Sequence, residues 1–241
     1  DADAAALLAS FNVEVEELQS LEVGQVTQNL CLSRIPGDKH SKICSPKDTA
    51  KNGSDISMLV VHAFREMAKA SDIAIQNAGG VRTDIAKGAL TIGDAYKLLP
   101  FSNTLVEMDM TGMEIKAVLE DALDYALQPD GSTGAYPYAA GLRWHVNLTA
   151  PIGQRFSKME FKGRNDGSWS PLDMNRSYRL VTNNYIASGR DGYLSFKTVK
   201  KDGRYTDTYL DCAQSFVDYV KERGSIGKLP PSEYSTQALV E

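Results

Sequence analysis

The sequence predicts an α+β fold, a mixed β-sheet flanked by helices, and three observations carry that prediction. Stretches with a helical apolar period and stretches with strand character are mixed without strict strand–helix–strand alternation. No internal repeat, low-complexity block or interdomain linker breaks the 241 residues, a length that suits one large domain or two small ones. Hydrophobic residues make up 42% of the chain, enough to bury a sizeable core.

Residues 3–20 start alanine-rich, and Leu7, Phe11, Val15 and Leu18 recur at helical spacing, which predicts an amphipathic helix. Glu22–Thr27 alternates as a strand, broken at Gly24, and residues 28–53 read as a polar loop with Pro36-Gly37 as a turn. Ser54 caps a helix predicted to run to about Ala70, with Ile56, Leu59, Val60, Ala63, Phe64 and Met67 on its buried face. The short apolar strand Ile73–Ile75 follows. Thr91 caps a short helix stopped by Pro100, and Leu105–Met110 has strand character. Thr111 and Glu114 have capping-box spacing and open a helix to about Leu127, with Ile115, Val118, Leu119, Ala122 and Leu123 inward. Residues 128–141 read as loop, whereas Leu142–Leu148, Ser157–Phe161 and Tyr178–Thr182 read as strands. Residues 183–207 read as a mostly irregular connection. Asp207 reads as the cap of a final helix through Lys221, burying Leu210, Ala213, Phe216, Val217 and Val220. The last ~20 residues read as a poorly patterned tail.

A net charge of −5 without a long basic run argues against a binder of nucleic-acid polymers. No apolar stretch approaches the ~20 residues of a membrane span. Starting at Asp1, the chain reads as a processed or excised piece whose targeting segment is out of view. Cys31 and Cys44, with 12 residues between them, share one loop. They read either as a disulfide, pointing to an oxidising compartment such as the periplasm, or as two unrelated thiols. Cys212 reads as a small buried apolar residue. His40, His62 and His145 lie far apart in no ligand spacing, and His62, near the apolar face of its helix, reads as structural. No nucleophile elbow, Cys–His pair or phosphate-binding Gly-Lys loop is present.

Binding chemistry is easier to find. In Ile73–Arg82 an apolar run passes through Asn77-Ala78-Gly79-Gly80 to Arg82. Such a strand hands over to a loop whose glycines, Gly80 among them, permit unusual backbone angles and let a ligand approach. The arginine offers a fork of donors to phosphate. Read alone, the stretch is a strand, a glycine turn and a surface arginine. Two further loops, Pro100–Asn103 and Asn184–Tyr193, each carry an aromatic, Phe101 and Tyr185. These are either packing anchors or a pair that sandwiches a planar base. With Asp191 accepting from a ribose diol, Arg82 meeting a phosphate and Asn77 orienting either that phosphate or the attacking group, the parts add up to a nucleotide site.

The motifs NAGGVR at Asn77–Arg82, LLPFSNTLVEMDMTG at Leu98–Gly112, STGAYPYAAGLRW at Ser132–Trp144 and YRLVTNNYIASGRDGY at Tyr178–Tyr193 span most of the chain. On these the chain resembles the C-terminal, substrate-binding domain of the periplasmic and cell-surface 5′-nucleotidases, a family that includes UDP-sugar hydrolases and NAD nucleotidases. The resemblance implies residues 1–21 as an interdomain helix and 22–241 as the substrate-binding domain. It implies a missing N-terminal metallophosphatase domain with two divalent metal ions, and no cofactor in this chain. Phe101 and Tyr185 would stack on the base, with tyrosine in place of the more usual phenylalanine at 185. Asp191 would hold the ribose, Arg82 the phosphate, and Asn77 the base or phosphate. Arg190 stands where the family often has glycine, altering the loop or adding a phosphate contact. A loop arginine, best matched by Arg34 over Lys39 or His40, would add a second phosphate contact. The ligand would be an AMP-like nucleotide or nucleoside, the location periplasmic or cell-surface, and this chain alone inactive. The alternatives are a stand-alone nucleotide-binding module, or the same domain in a UDP-sugar, NAD or cyclic-nucleotide hydrolase. The expected geometry puts the two rings across a gap one purine thick, with Arg82 at its far end.

Overall fold

A computed structural model describes residue 12 and residues 14–240 of the chain. Most of the predicted first helix, Leu7 and Phe11 included, lies outside the described residues. Residues 14–20 are helical (α1), with Val15 and Leu18 exposed. The chain continues through β1 (Glu22–Val26), α2 (Pro46–Thr49), α3 (Asp55–Met67), β2 (Ile73–Asn77), β3 (Gly88–Thr91), α4 (Ile92–Leu98), β4 (Thr104–Thr111) and α5 (Gly112–Leu127). Then come β5 (Pro137–Ala140), β6 (Leu142–Asn147), β7 (Phe156–Phe161), β8 (Ser170–Pro171), β9 (Ser177–Asn183), α6 (Asn184–Ala187) and α7 (Leu194–Lys201). The last elements are β10 (Tyr205–Asp211), α8 (Cys212–Arg223), β11 (Ser225–Ile226) and β12 (Thr236–Val240).

The α+β class holds, but the strands form three sheets rather than one. The central sheet has the order β10-β4-β9-β2-β5 and is mixed, β2 running parallel to β9 and antiparallel to β5. The inner strand β2 is buried at every residue, as its unbroken apolar start requires. The other sheets are β11-β1-β3 and β12-β6-β7-β8. In β1 the pairing slips between Glu22 and Gly24, so the predicted break is a bulge.

Local signals hold where a side chain closes a helix end. Ser54 accepts from the Ser57 amide and starts α3. Thr111 and Glu114 exchange hydrogen bonds at the start of α5, and Thr91 and Asp94 at the start of α4. Arg204 also grips Glu114 and, with the Thr111 bonds, holds its carboxyl down at about 2. α3 ends at Met67, short of Ala70, and buries Met58 and Val61 beside the predicted face. It is enclosed nearly all round because it packs against β2, β5 and α8.

Four readings of the chain are corrected. Residues 183–207 are not an irregular connection, since they contain α6, α7 and the start of β10. The final helix begins at Cys212, capped by Asp211 through the Gln214 amide, while Asp207 lies in the edge strand β10 and Leu210 is exposed. Either aspartate suits a cap, and pairing of β10 with β4 decides between them. The tail is built in: β12 pairs with β6, and Tyr234, Ser235 and Thr236 are buried. Residues 137–140, read as loop, form β5, an edge strand buried at all four positions. No helix among the described residues is long and apolar enough to cross a membrane.

Candidate functional site

One end of the central sheet gathers the site. Because β4 runs antiparallel to β9, and β9 parallel to β2, the start of β4 lies beside the ends of β2 and β9. Asn183 pairs with Leu105, and Asn77 with Pro137 at the start of β5. The segments after β2, before β4, before β5 and after β9 therefore meet. They surround a cavity of about 260 Å³. All seven sequence-predicted residues line it: Arg34, Asn77, Gly80, Arg82, Phe101, Tyr185 and Asp191. Arg34 arrives from the 28–53 loop, closed by a Cys31–Cys44 disulfide.

The segment after β2 turns as a 3₁₀ helix, Ala78–Gly80. The unusual backbone angles expected of its glycines are absent, since neither has a positive φ. Space is the constraint. A Cβ on Gly79 would lie 3.1 Å from Cα of Gly134, and one on Gly80 only 2.0 Å from Nε2 of Gln76. Positive φ occurs instead after β9, at Gly189 (86°), Asp191 (51°) and Gly192 (79°). Gly192 also faces Tyr125 so closely that a Cβ would sit 2.3 Å from that residue's own.

Phe101 and Tyr185 are 46% and 42% exposed, so both rings keep a face for a ligand. Arg82 lies beside the first of these rings. Its guanidinium sits 5.7 Å from the Phe101 ring centre and donates to the Gly79 carbonyl at 3.0 Å. Arg34 donates to Thr133 at 3.4 Å. Among the described residues neither guanidinium forms an ion pair. Both guanidiniums thus line one cavity together with the Asp191 carboxylate.

Beneath the cavity runs a chain of amides. Asn183 Nδ2 donates to Gln76 Oε1 at 2.6 Å and to Asn77 Oδ1 at 3.2 Å, while its Oδ1 accepts from the Ile186 amide and caps α6. Asn77 Nδ2 in turn donates to Asp191 Oδ2 at 2.9 Å, and the Tyr185 hydroxyl to Asp191 Oδ1 at 3.0 Å. Partial burial and the Asp191 carboxylate push the Tyr185 phenol up.

Gly79, Asn103, Ser132 and Gly134 also line the cavity and were given no role from sequence. Asn103 follows Phe101 by two residues, and Ser132 opens the third quoted motif. Both signals were on the page, but a lone amide or hydroxyl in a loop does not announce a ligand. Lys39, His40 and Arg190 do not line the cavity, and His40 bonds Asp38 instead. His62 lies in α3 with a buried Nε2 that has no partner, consistent with a structural position. Among the described residues no group of three or more His, Cys, Asp or Glu could hold a metal ion. The lining offers cations, amides, rings and one carboxylate, a set that binds and orients.

The family model "5′-nucleotidase, C-terminal domain" matches residues 21–200. The chain is 39% identical over 225 residues to the NAD 5′-nucleotidase of Haemophilus influenzae, covering 92% of this chain and 36% of that protein. It superposes on the structure of the Haemophilus influenzae NAD nucleotidase with a TM-score of 0.83 at 34% identity, over all of this chain and 42% of the other. A 5′-nucleotidase precursor from Thermus thermophilus gives a TM-score of 0.79 at 30% identity, over 100% of this chain and 44% of that one. The chain thus spans well under half the length of each of these relatives. Matched by that model over most of its length, it belongs to the 5′-nucleotidase C-terminal domain family.

Proposed function

We propose that the chain is the substrate-binding domain of a periplasmic or cell-surface bacterial 5′-nucleotidase, one that hydrolyses nucleotide phosphoesters. The observation that carries this reading is the meeting of two exposed rings, two unpaired guanidiniums and one carboxylate around a single cavity. Phe101 and Tyr185 take the base, Asp191 the ribose diol, and Arg82 with Arg34 the phosphate. Asn77 orients the phosphate or base, and Gly80 brings main chain close to the ligand. Residues 1–21 serve as the interdomain helix to a metallophosphatase domain. The two divalent metal ions would be held by that domain. What this chain contributes is affinity and position, which can account for a large part of a rate enhancement. Rotation between the two domains would carry bound substrate to the metals.

Titration calorimetry of the chain with AMP and adenosine tests the reading. Phe101→Ala is expected to cost roughly 1–3 kcal/mol for either ligand, as loss of one stacking face does, and neither protein should release phosphate from AMP. Unchanged binding by Phe101→Ala would sink the base clamp. NAD is the second ligand to try, favoured by the identity to the Haemophilus influenzae NAD 5′-nucleotidase.

A further inference from the structure

The Tyr185 hydroxyl does something that its ring does not. It donates to Asp191 Oδ1 at 3.0 Å, while Asn77 Nδ2 donates to Asp191 Oδ2 at 2.9 Å. Each carboxylate oxygen is thus tied from a different residue, one at the end of β2 and one on α6. A carboxylate held at both oxygens cannot rotate, and each oxygen still has a lone pair to offer. Asp191 lines the cavity, so two adjacent hydroxyls on a ligand would meet two acceptors already in place.

The backbone at Asp191 supports the same point. Its φ of 51° and ψ of 35° lie in the left-handed region, which costs a residue with a side chain and persists where surrounding contacts impose it. Tyr185 and Asn77 are the side chains that grip it. Tyr185 is itself positioned from below, because Asn183 caps α6 and is fastened to Gln76 and Asn77.

We infer that the Tyr185 hydroxyl is a specificity-determining positioning group: by fixing the Asp191 carboxylate it makes the site favour ligands with a vicinal ribose diol over deoxyribose ones. The inference rests on the nucleotide reading above, with Asp191 as the diol contact. It separates the two jobs of Tyr185, since Tyr185→Phe keeps the ring and removes the donor.

The test is the affinity of the chain, Tyr185→Phe, Asp191→Asn and the double variant for adenosine and for 2′,3′-dideoxyadenosine. Tyr185→Phe is expected to weaken adenosine about tenfold, the scale of one hydrogen bond to a charged group. Its effect on the dideoxy ligand should stay below about threefold. The double variant should bind adenosine no worse than Asp191→Asn alone, because both changes act on one interaction. Equal losses for both ligands, additive losses in the double variant, or tighter adenosine binding by Tyr185→Phe would each overturn the inference. A parent chain that binds both ligands equally would overturn it and leave the base clamp standing. A parent chain that binds neither would remove the nucleotide reading itself. Should Tyr185→Phe fail to fold, parent and Asp191→Asn still decide it: an unchanged preference for adenosine in Asp191→Asn would refute the carboxylate's part.

Discussion

Gly80 shows how little room the site leaves at the level of one residue. A methyl there would fall 2.0 Å from Gln76 Nε2 and 3.1 Å from Asn77 Oδ1. Gln76 cannot simply swing away, because it is buried and its Oε1 is held by Asn183. Gly80→Ala should therefore cost about 1–3 kcal/mol of stability, from overpacking and a broken buried hydrogen bond. Urea denaturation measures it, and an unchanged midpoint would show that Gln76 can be displaced without cost. The need for glycine at both positions was legible in the sequence, read there as backbone freedom and ligand approach. The reason was not, because crowding by Gln76 and Gly134 is set by tertiary packing that no local pattern records. That Phe101, Tyr185 and Asp191 come from segments meeting at one cavity was legible from their loop motifs. Asn103 was not, since its place at the cavity depends on the β4 register.

Among the elements, α3 carries a buried cost that pH can release. His62 sits on this helix with its Nε2 sealed from solvent and unpartnered among the described residues. Burial first, and then the nearby Arg65 charge, lower its pKa to about 4; Lys162 acts the same way and Glu233 opposes. The folded state thus prefers the neutral ring, and the unfolded state takes up a proton first. The stability His62 contributes is intact above its unfolded value near 6.5 and is lost as pH falls toward 4. The loss is on the order of 1–3 kcal/mol. Thermal melts from pH 7 to 4 should fall less steeply for His62→Gln than for the parent, and parallel curves would exclude the histidine as a source. α3 and α5 were readable in advance because a cap and an apolar period act within one turn. β5 and β10 were not. The first is a short Pro-Tyr-Ala-Ala run made a strand by β2, and the second is a partly exposed edge strand with no fully buried residue, whose Asp207 imitates a helix cap.

Across the whole molecule, long-range ties hold the Arg34 loop against the body. The Cys31–Cys44 bond closes it. Asp38 accepts from the Arg34, Ile35 and His40 amides, and Asp84 from those of Leu32 and Lys42. The Lys228 ammonium lies 2.9 Å from the buried Asp55 carboxylate and 3.7 Å from the Cys31 sulfur, and Tyr234 also donates to Asp55. Replacing both cysteines by serine should cost about 2–3 kcal/mol, the chain-entropy value for a loop of this size. It should also weaken AMP more than adenosine, since Arg34 is the group the loop presents. Denaturation and calorimetry with and without reductant check both parts, and equal weakening of the two ligands would detach the loop from anion binding. The sequence left the disulfide as one of two readings. The division into three sheets was not visible in it, because strand order is decided by partners distant along the chain.

Those same ties set an order of events during synthesis. Asp55 emerges from the ribosome long before Lys228 and Tyr234, and β6 long before the β12 strand that pairs with it. Until the closing segment arrives, a carboxylate waits without its cation and a sheet edge stands open. A nascent chain stalled short of that point would carry the cavity's lining residues on a scaffold not yet locked.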